Sequence, residues 1–281
     1  MMQEPDIGEM IFHHTSDSHV IELPFLGEVH LPTGWNLFGV DVSPTKHVVF
    51  MLLAAVLVFL TIRFAGRQVQ RRHQAGKAPA GFGGAIEAVV LFVRNDVALA
   101  NIGHNGAKFA PYILTLFFFI LYCNLLGLFP WGSAATGNLA VTGALALTAF
   151  ATIEISGLVA LGPMGYLKTI VFVPPGMTGF GAVAMALIMT PIEIIGKLVK
   201  PFALCLRLFA NMTAGHFVIL ALLGLIFVFA TAGPAIVAGV TLGAVAFTLF
   251  MMLLELLVAF LQAYIFALLT SVFIGMMQHA H

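Results

Sequence analysis

From Pro201 to the C-terminus the strongly ionisable side chains before the terminal His279 and His281 are Arg207, His216 and Glu255, set among Leu, Phe, Ala, Ile, Val and Met. Placing one such group in hydrocarbon costs roughly 2.5 to 3.5 kcal/mol on insertion scales, so each is a functional hypothesis by default. The three types are the parts of a proton route. An imidazole and a carboxylate take up and release protons near neutral pH, whereas a guanidinium, with a pKa above about 12, keeps its own. A competing explanation is a structural ion pair between Arg207 and Glu255 that locks two helices together.

On an α-helix Arg207 and Asn211 lie one turn apart on one face, while His216 falls about 180° round and about 13 Å along. Glu255 and Gln262 share a face of the next apolar segment to within about 20°. Polar faces at different depths suit a stepwise route better than a single lock. Upstream, Glu193 stands about 40° off the face of Arg207 and about 21 Å away along the axis. It lines an inner aqueous path on one reading and belongs to an interfacial cluster with Lys197 and Lys200 on the other. Asn124 and Glu154, polar residues inside apolar runs, serve either as channel lining or as helix-to-helix hydrogen bonds.

The elements that must position these groups follow from hydropathy. Of 281 residues 60% are hydrophobic and 9% charged, with a mean hydropathy of +1.05. Such a composition places the chain in lipid, where a spanning helix needs roughly 20 apolar residues. Val48 to Ile62 qualifies only with its ends extended by His47, Arg63 and Arg67. The runs Phe109 to Phe129 and Leu139 to Leu161 make a hairpin across a short uncharged turn, and the segment from Gly162 to Gly179 reads as a loop. Phe180 to Ala230 and Pro234 to Met277 are about 65 to 75 Å long if helical, roughly twice the hydrocarbon thickness. Pro191 and Pro201 are candidate kinks in the first of them, yet neither run holds a polar loop, so a long tilted hairpin is expected. Ile86, Val90, Val93 and Val97, with Glu87, Arg94 and Asp96 among them, predict a helix lying at the membrane face.

The fold expected is therefore all-α: five membrane-crossing helices plus an interfacial amphipathic helix, the last two crossings forming the long tilted hairpin. Residues 1–46 form an acidic segment, with Glu4, Asp6, Glu9, Asp17, Glu22, Glu28 and Asp41 against the single base Lys46. That charge is wrong for a cleavable signal peptide. Residues 47–65 form the first membrane helix, 66–108 a basic loop with the interfacial helix, and 109–281 the ion-translocating domain. The cluster Arg63, Arg67, Arg71, Arg72 and Lys77 places its loop in the cytoplasm and the N-terminus outside, by the positive-inside rule. Cys123 and Cys205 lie in apolar runs and read as packing residues. His13, His14, His19 and His30 are of a metal-binding type, although solvated loop histidines are far commoner.

Two stretches are specific. Arg207-Leu208-Phe209-Ala210-Asn211-Met212-Thr213-Ala214-Gly215-His216 and Leu261-Gln262-Ala263-Tyr264-Ile265-Phe266 closely resemble the signature of the a subunit of F-type ATP synthases, a likeness that extends from about Phe109 to the end. The resemblance implies a stator that cups the rotating c-subunit ring and offers two offset half-channels, with Arg207 separating them and driving deprotonation of the ring carboxylate. Asn211, His216, Glu255, Gln262 and Glu193 are then proton-path residues, and Asn124 and Glu154 possible lining. In some bacterial members the histidine and carboxylate positions are exchanged, which implies that His216 and Glu255 act as a couple. The implied partners are the c ring, a b-type peripheral stalk, the rest of the F1FO complex and the bilayer of a bacterial inner membrane.

No cofactor, metal or nucleic acid is implied. ATP binding is not expected, since Gly196-Lys197 is followed by Leu198 and lacks the phosphate-loop pattern. An ion-coupled secondary transporter is the competing class, but such folds carry inverted repeats, and no repeat is evident. The topology is testable by labelling: a lone cysteine replacing Ser18 should react with an impermeant reagent from the outside. Reaction only from the cytoplasmic side would overturn both the orientation and the half-channel assignments.

Overall fold

The computed structural model describes Gly8 and residues 16–23, 27–37, 40–41, 43–129, 132–171 and 180–278. Glu4, Asp6, Glu9, His13, His14, Pro130, Trp131, His279 and His281 lie outside the described residues, as does the segment 172–179. Among the described residues four short strands precede the long helices: β1 (Val20–Leu23), β2 (Gly27–His30), β3 (Asn36–Leu37) and β4 (Val40–Asp41). β1 pairs antiparallel with β2, Val20 opposite His30, and β3 with β4.

The helices are α1 (Lys46–Gln74), α2 (Gly81–Phe92), a π-helical segment (Val93–Leu99), α3 (Ala100–Ile102), α4 (Gly106–Gly127), α5 (Leu139–Ile170), α6 (Phe180–Val228) and α7 (Pro234–Gln278). Among the described residues five helical stretches are long and apolar enough to cross a membrane: Lys46–Gln74, Gly81–Gly127, Leu139–Ile170, Val183–Val228 and Pro234–Gln278. The all-α membrane fold with five crossings is thus the observed one, with the strand pairs as an addition at its N-terminal end. The stretch expected at the membrane face is helical, with Val93 and Val97 buried and Arg94 and Asp96 exposed.

Two boundaries differ from the hydropathy reading. α1 runs on for three further turns beyond Ile62, because Arg and Gln are strong helix formers and do not end a helix merely by being polar. Its polar end is fastened: the Gly83 N–H donates to Gln68 Oε1 at 2.6 Å, and Arg72 Nη1 donates to the Ala78 carbonyl at 3.1 Å. The predicted loop after Leu161 is helical as far as Ile170, with a break at Gly162 (φ 70°, ψ 170°). A residue before proline is driven out of the α region, and glycine reaches positive φ without a Cβ clash, so Gly162-Pro163 breaks the helix and the next residues resume it. α6 passes through Pro191 and Pro201 as one helix, so the prolines do not divide the run. At 49 and 45 residues, α6 and α7 are roughly 73 and 67 Å long. They form the long hairpin.

The chain makes two compact units. One comprises Met1–Thr61, Phe118–Val141 and Leu208–Ala263, the other Ile62–Phe117, Thr142–Arg207 and Tyr264–His281. In the first, Ala54, Cys123 and Ala135 form a buried centre, and Thr61 Oγ1 and Tyr122 Oη are 2.7 Å apart. In the second, Phe92 stacks on Tyr264 with ring centroids 5.8 Å apart. Along α7 the residues Ala259, Ala263, Ala267, Ser271 and Gly275, spaced by four, are all buried. Lipid gives helices no hydrophobic drive to associate, so close van der Waals approach over small side chains does that work.

Gly275 marks the closest approach, because a Cβ there would lie 2.0 Å from the Asn101 carbonyl oxygen, whereas Gly239 has nothing within 4 Å. Gly275→Ala should therefore lower the melting temperature of the purified chain by an amount corresponding to about 1 to 3 kcal/mol of overpacking. Gly239→Ala should leave it unchanged or slightly raised. Equal melting of the two variants would show that the Gly275 contact yields without cost.

Candidate functional site

The part of α6 that carries the signature presents two different faces. Leu204, Cys205, Leu208 and Met212 are buried, whereas Ala203, Arg207, Ala210, Asn211 and Ala214 are exposed. The exposed side thus sets one cation and one amide among alanines, with the apolar Leu206 and Phe217 also exposed. Among the described residues Arg207 makes no ion pair. An uncompensated charge beside small residues is suited to meet a group on another molecule.

Glu255 is paired instead with His216. The His216 Nδ1 to Glu255 Oε1 distance is 3.1 Å, with the two side chains 19% and 4% exposed. The couple expected from the sequence is therefore brought together, on the side of α6 opposite to Arg207 as the helical spacing requires. The preceding glycine makes this approach possible: a Cβ on Gly215 would stand 2.9 Å from Glu255 Oε1. Glu255 Oε2, Thr213 Oγ1 and Thr248 Oγ1 are buried and have no hydrogen-bond partner among the described residues. Thr248, Glu255 and Gln262 are all buried and recur at seven-residue spacing, which keeps them on one face of α7. Thr213 and Thr248 are polar-path candidates that hydropathy did not single out, since threonine is common in apolar helices. The seven-residue spacing was the available signal.

Asn124 is 0% exposed. Its Nδ2 donates to the Ala259 carbonyl at 3.3 Å, and its Oδ1 accepts from Thr136 Oγ1 at 2.6 Å. This geometry is a clasp joining α4, the turn before α5, and α7. Glu154 accepts a hydrogen bond from the Tyr166 hydroxyl and pairs with Lys197 at 3.5 Å, with side chains 17% and 10% exposed. Lys197 Nζ also reaches Thr169 Oγ1 at 3.3 Å and lies 4.7 Å from the Tyr166 ring centroid. The group ties α5 beyond its Gly162 break to α6. Tyr166 and Lys197 were not expected to join it, because one contact crosses the Gly162 break and the other spans 43 residues. Glu193 is exposed and lines a cavity of about 750 Å³ with Glu154, Lys168, Lys197, Lys200 and Pro201.

Among the described residues no three His, Cys, Asp or Glu side chains are grouped to hold a metal. His19 Nδ1 lies 3.1 Å from the Pro44 carbonyl, and His30 lies 3.9 Å from Glu28 while remaining largely exposed.

Residues 36–275 match the family described as ATP synthase A chain. The chain belongs to that family. It is 48% identical over 264 residues to ATP synthase subunit a of Chloroherpeton thalassium, covering 94% of this chain and 75% of that protein. It is 45% identical over 269 residues to ATP synthase subunit a 2 of Chlorobaculum tepidum, covering 96% of this chain and 72% of that one. ATP synthase subunit a of Anaeromyxobacter dehalogenans is 43% identical over 287 residues, covering 97% and 71%. As an ATP synthase A chain, this protein is a multi-pass membrane subunit, and its signature helix is the one bearing the exposed Arg207 and the His216–Glu255 pair.

Proposed function

We propose that the chain is the proton-translocating stator subunit of a rotary F-type ATP synthase, seated against the c-subunit ring and held by the peripheral stalk. The observation that carries this reading is Arg207, exposed beside Ala203, Ala210 and Ala214 and without an ion pair among the described residues. A ring carboxylate facing lipid must be protonated, whereas one beside a guanidinium is stabilised in its ionised form. Arg207 thereby promotes release of the ring proton. It also blocks direct passage, since arginine does not relay protons as lysine does.

His216 and Glu255 form the outer half-channel, with Thr213, Thr248 and Gln262 on the adjoining polar faces. The unpartnered Glu255 Oε2 and threonine hydroxyls support a hydrated path, because a buried polar atom left without any partner costs about 1 to 3 kcal/mol. The cavity bordered by Glu193, Lys197 and Lys200 is the inner half-channel. The N-terminus is outside and the C-terminus cytoplasmic, a reading that the arginine cluster on α1 supports.

Magnitudes restrict the Arg207 contact. Two unit charges at about 4 Å attract by about 4 kcal/mol at an effective dielectric of about 20, while one charge crossing 100 mV yields about 2.3 kcal/mol. A dry, tight pair would stall the rotor. Arg207 therefore meets the ring carboxylate across water, with Asn211 supplying a neutral hydrogen bond.

In membrane vesicles carrying the assembled complex, Arg207→Ala and Arg207→Lys should each abolish ATP synthesis. Substantial synthesis in either variant would make Arg207 a structural charge. His216→Ala or Glu255→Ala should slow proton flux strongly. The exchanged double variant, His216→Glu with Glu255→His, should recover flux relative to either single exchange, in which two carboxylates or two imidazoles face each other. Strictly additive effects on log rate, without recovery, would show that the two residues work independently.

A further inference from the structure

The outer path as proposed begins at His216, and a second buried histidine remains without a role. His47 opens α1 with its side chain 4% exposed, and its Nδ1 lies 2.7 Å from Oδ1 of Asp17, which is 35% exposed. The other oxygen of that carboxylate accepts from Asn138 Nδ2 at 3.0 Å. The segment bearing Asp17 is fastened beside α1: the Lys46 N–H donates to the Ser18 carbonyl at 2.9 Å, and His19 binds the Pro44 carbonyl. Asp17 is thus held in place against His47.

An ionised carboxylate only accepts hydrogen bonds, so the shared proton belongs to Nδ1 of His47, and the Nε2 lone pair is left to bind a proton. His216 stands in the same relation to Glu255, with Nδ1 facing the carboxylate. Asp17, His47, His216 and Glu255 all belong to the first compact unit, and Asp17, Lys46 and His216 act electrostatically on His47. Two carboxylate-oriented imidazoles therefore share one compact unit. One has its carboxylate in contact with solvent, and the other has it buried.

We propose that Asp17 and His47 are the proton-collecting mouth of the outer path and deliver protons to the His216–Glu255 couple, an inference that rests on the function proposed above. A proton from external water binds Nε2 of His47, and the imidazolium is stabilised by the Asp17 carboxylate. His47 then releases that proton through intervening water to Nε2 of His216, and His216 passes its Nδ1 proton to Glu255 Oε1. One proton arrives at and one leaves each imidazole, so no other co-reactant is needed. The acidic N-terminal segment thereby gains a role, which is to hold Asp17 at the start of α1.

The test uses vesicles carrying the whole complex, with proton flux driven from the outer side. His47→Ala should lower the flux by about 10²-fold, the lower end of what a positioned acid-base group contributes. External imidazole, which fits the space vacated, should restore part of it. Asp17→Asn, which keeps the side chain's shape and removes its charge, should also lower flux, whereas Glu28→Gln on the same segment should not. Unchanged flux in His47→Ala would overturn the inference. So would a loss that imidazole does not reverse together with normal flux in Asp17→Asn, because that pattern means packing. ATP synthesis in Arg207→Ala is measured alongside: if it persists, the underlying function is wrong, and if it is lost while His47→Ala is normal, only the mouth is misassigned.

Discussion

In hydrocarbon an ionised side chain gives up several kcal/mol of hydration unless a partner or water replaces it, and the placement of nearly every charge here answers to that constraint. The arginines after Ile62 ride on an extension of α1 past its apolar run. Glu154 is matched by Lys197 and Tyr166, Glu255 by His216, and Asp17 by His47. Arg207 is exposed on its face of α6 and makes no ion pair among the described residues. A cation that its own chain does not compensate needs a partner elsewhere, and a carboxylate on a moving ring is a partner that comes and goes. The functional proposal thus grows from an electrostatic imbalance.

Holding the matched pairs in register is a packing problem. Small side chains at every fourth position of α7, from Ala259 to Gly275, let neighbouring backbone come close. Asn124 reaches the Ala259 carbonyl in one unit, and the Asn101 carbonyl lies against Gly275 in the other. Gly215 performs the same service for Glu255, so the glycine of the signature serves the chemistry by leaving room. Side chains held in this way are fixed in advance, which is the preorganisation that the proposed relay needs.

The sequence carried the long hairpin plainly, because two apolar runs of such length without polar interruption admit few other forms. Helical spacing also separated Arg207 from His216, and the structure places them on opposite faces with Glu255 beside the histidine. What hydropathy concealed were contacts distant in the chain and ends fixed by propensity. The continuation of α1 to Gln74 follows from helix-forming Arg and Gln, which a hydropathy reading counts as the end of a span. The resumption of α5 after Gly162 was hidden by prolines that mark a loop in most settings. Glu154 with Tyr166 and Lys197, and Asp17 with His47, are pairings that a single sequence does not bring together. Thr213 and Thr248 escaped notice because a hydroxyl barely lowers the hydropathy of an apolar helix.

The most direct test of the central claim, that Arg207 keeps two proton paths apart, is the passive decay of a pH gradient across vesicles that carry the assembled complex without nucleotide. Arg207→Ala should leak protons faster than the unaltered complex, and adding His216→Ala, which interrupts the outer path, should suppress that leak. Arg207→Ala vesicles that hold the gradient as tightly as unaltered ones, with the complex intact, would contradict the account.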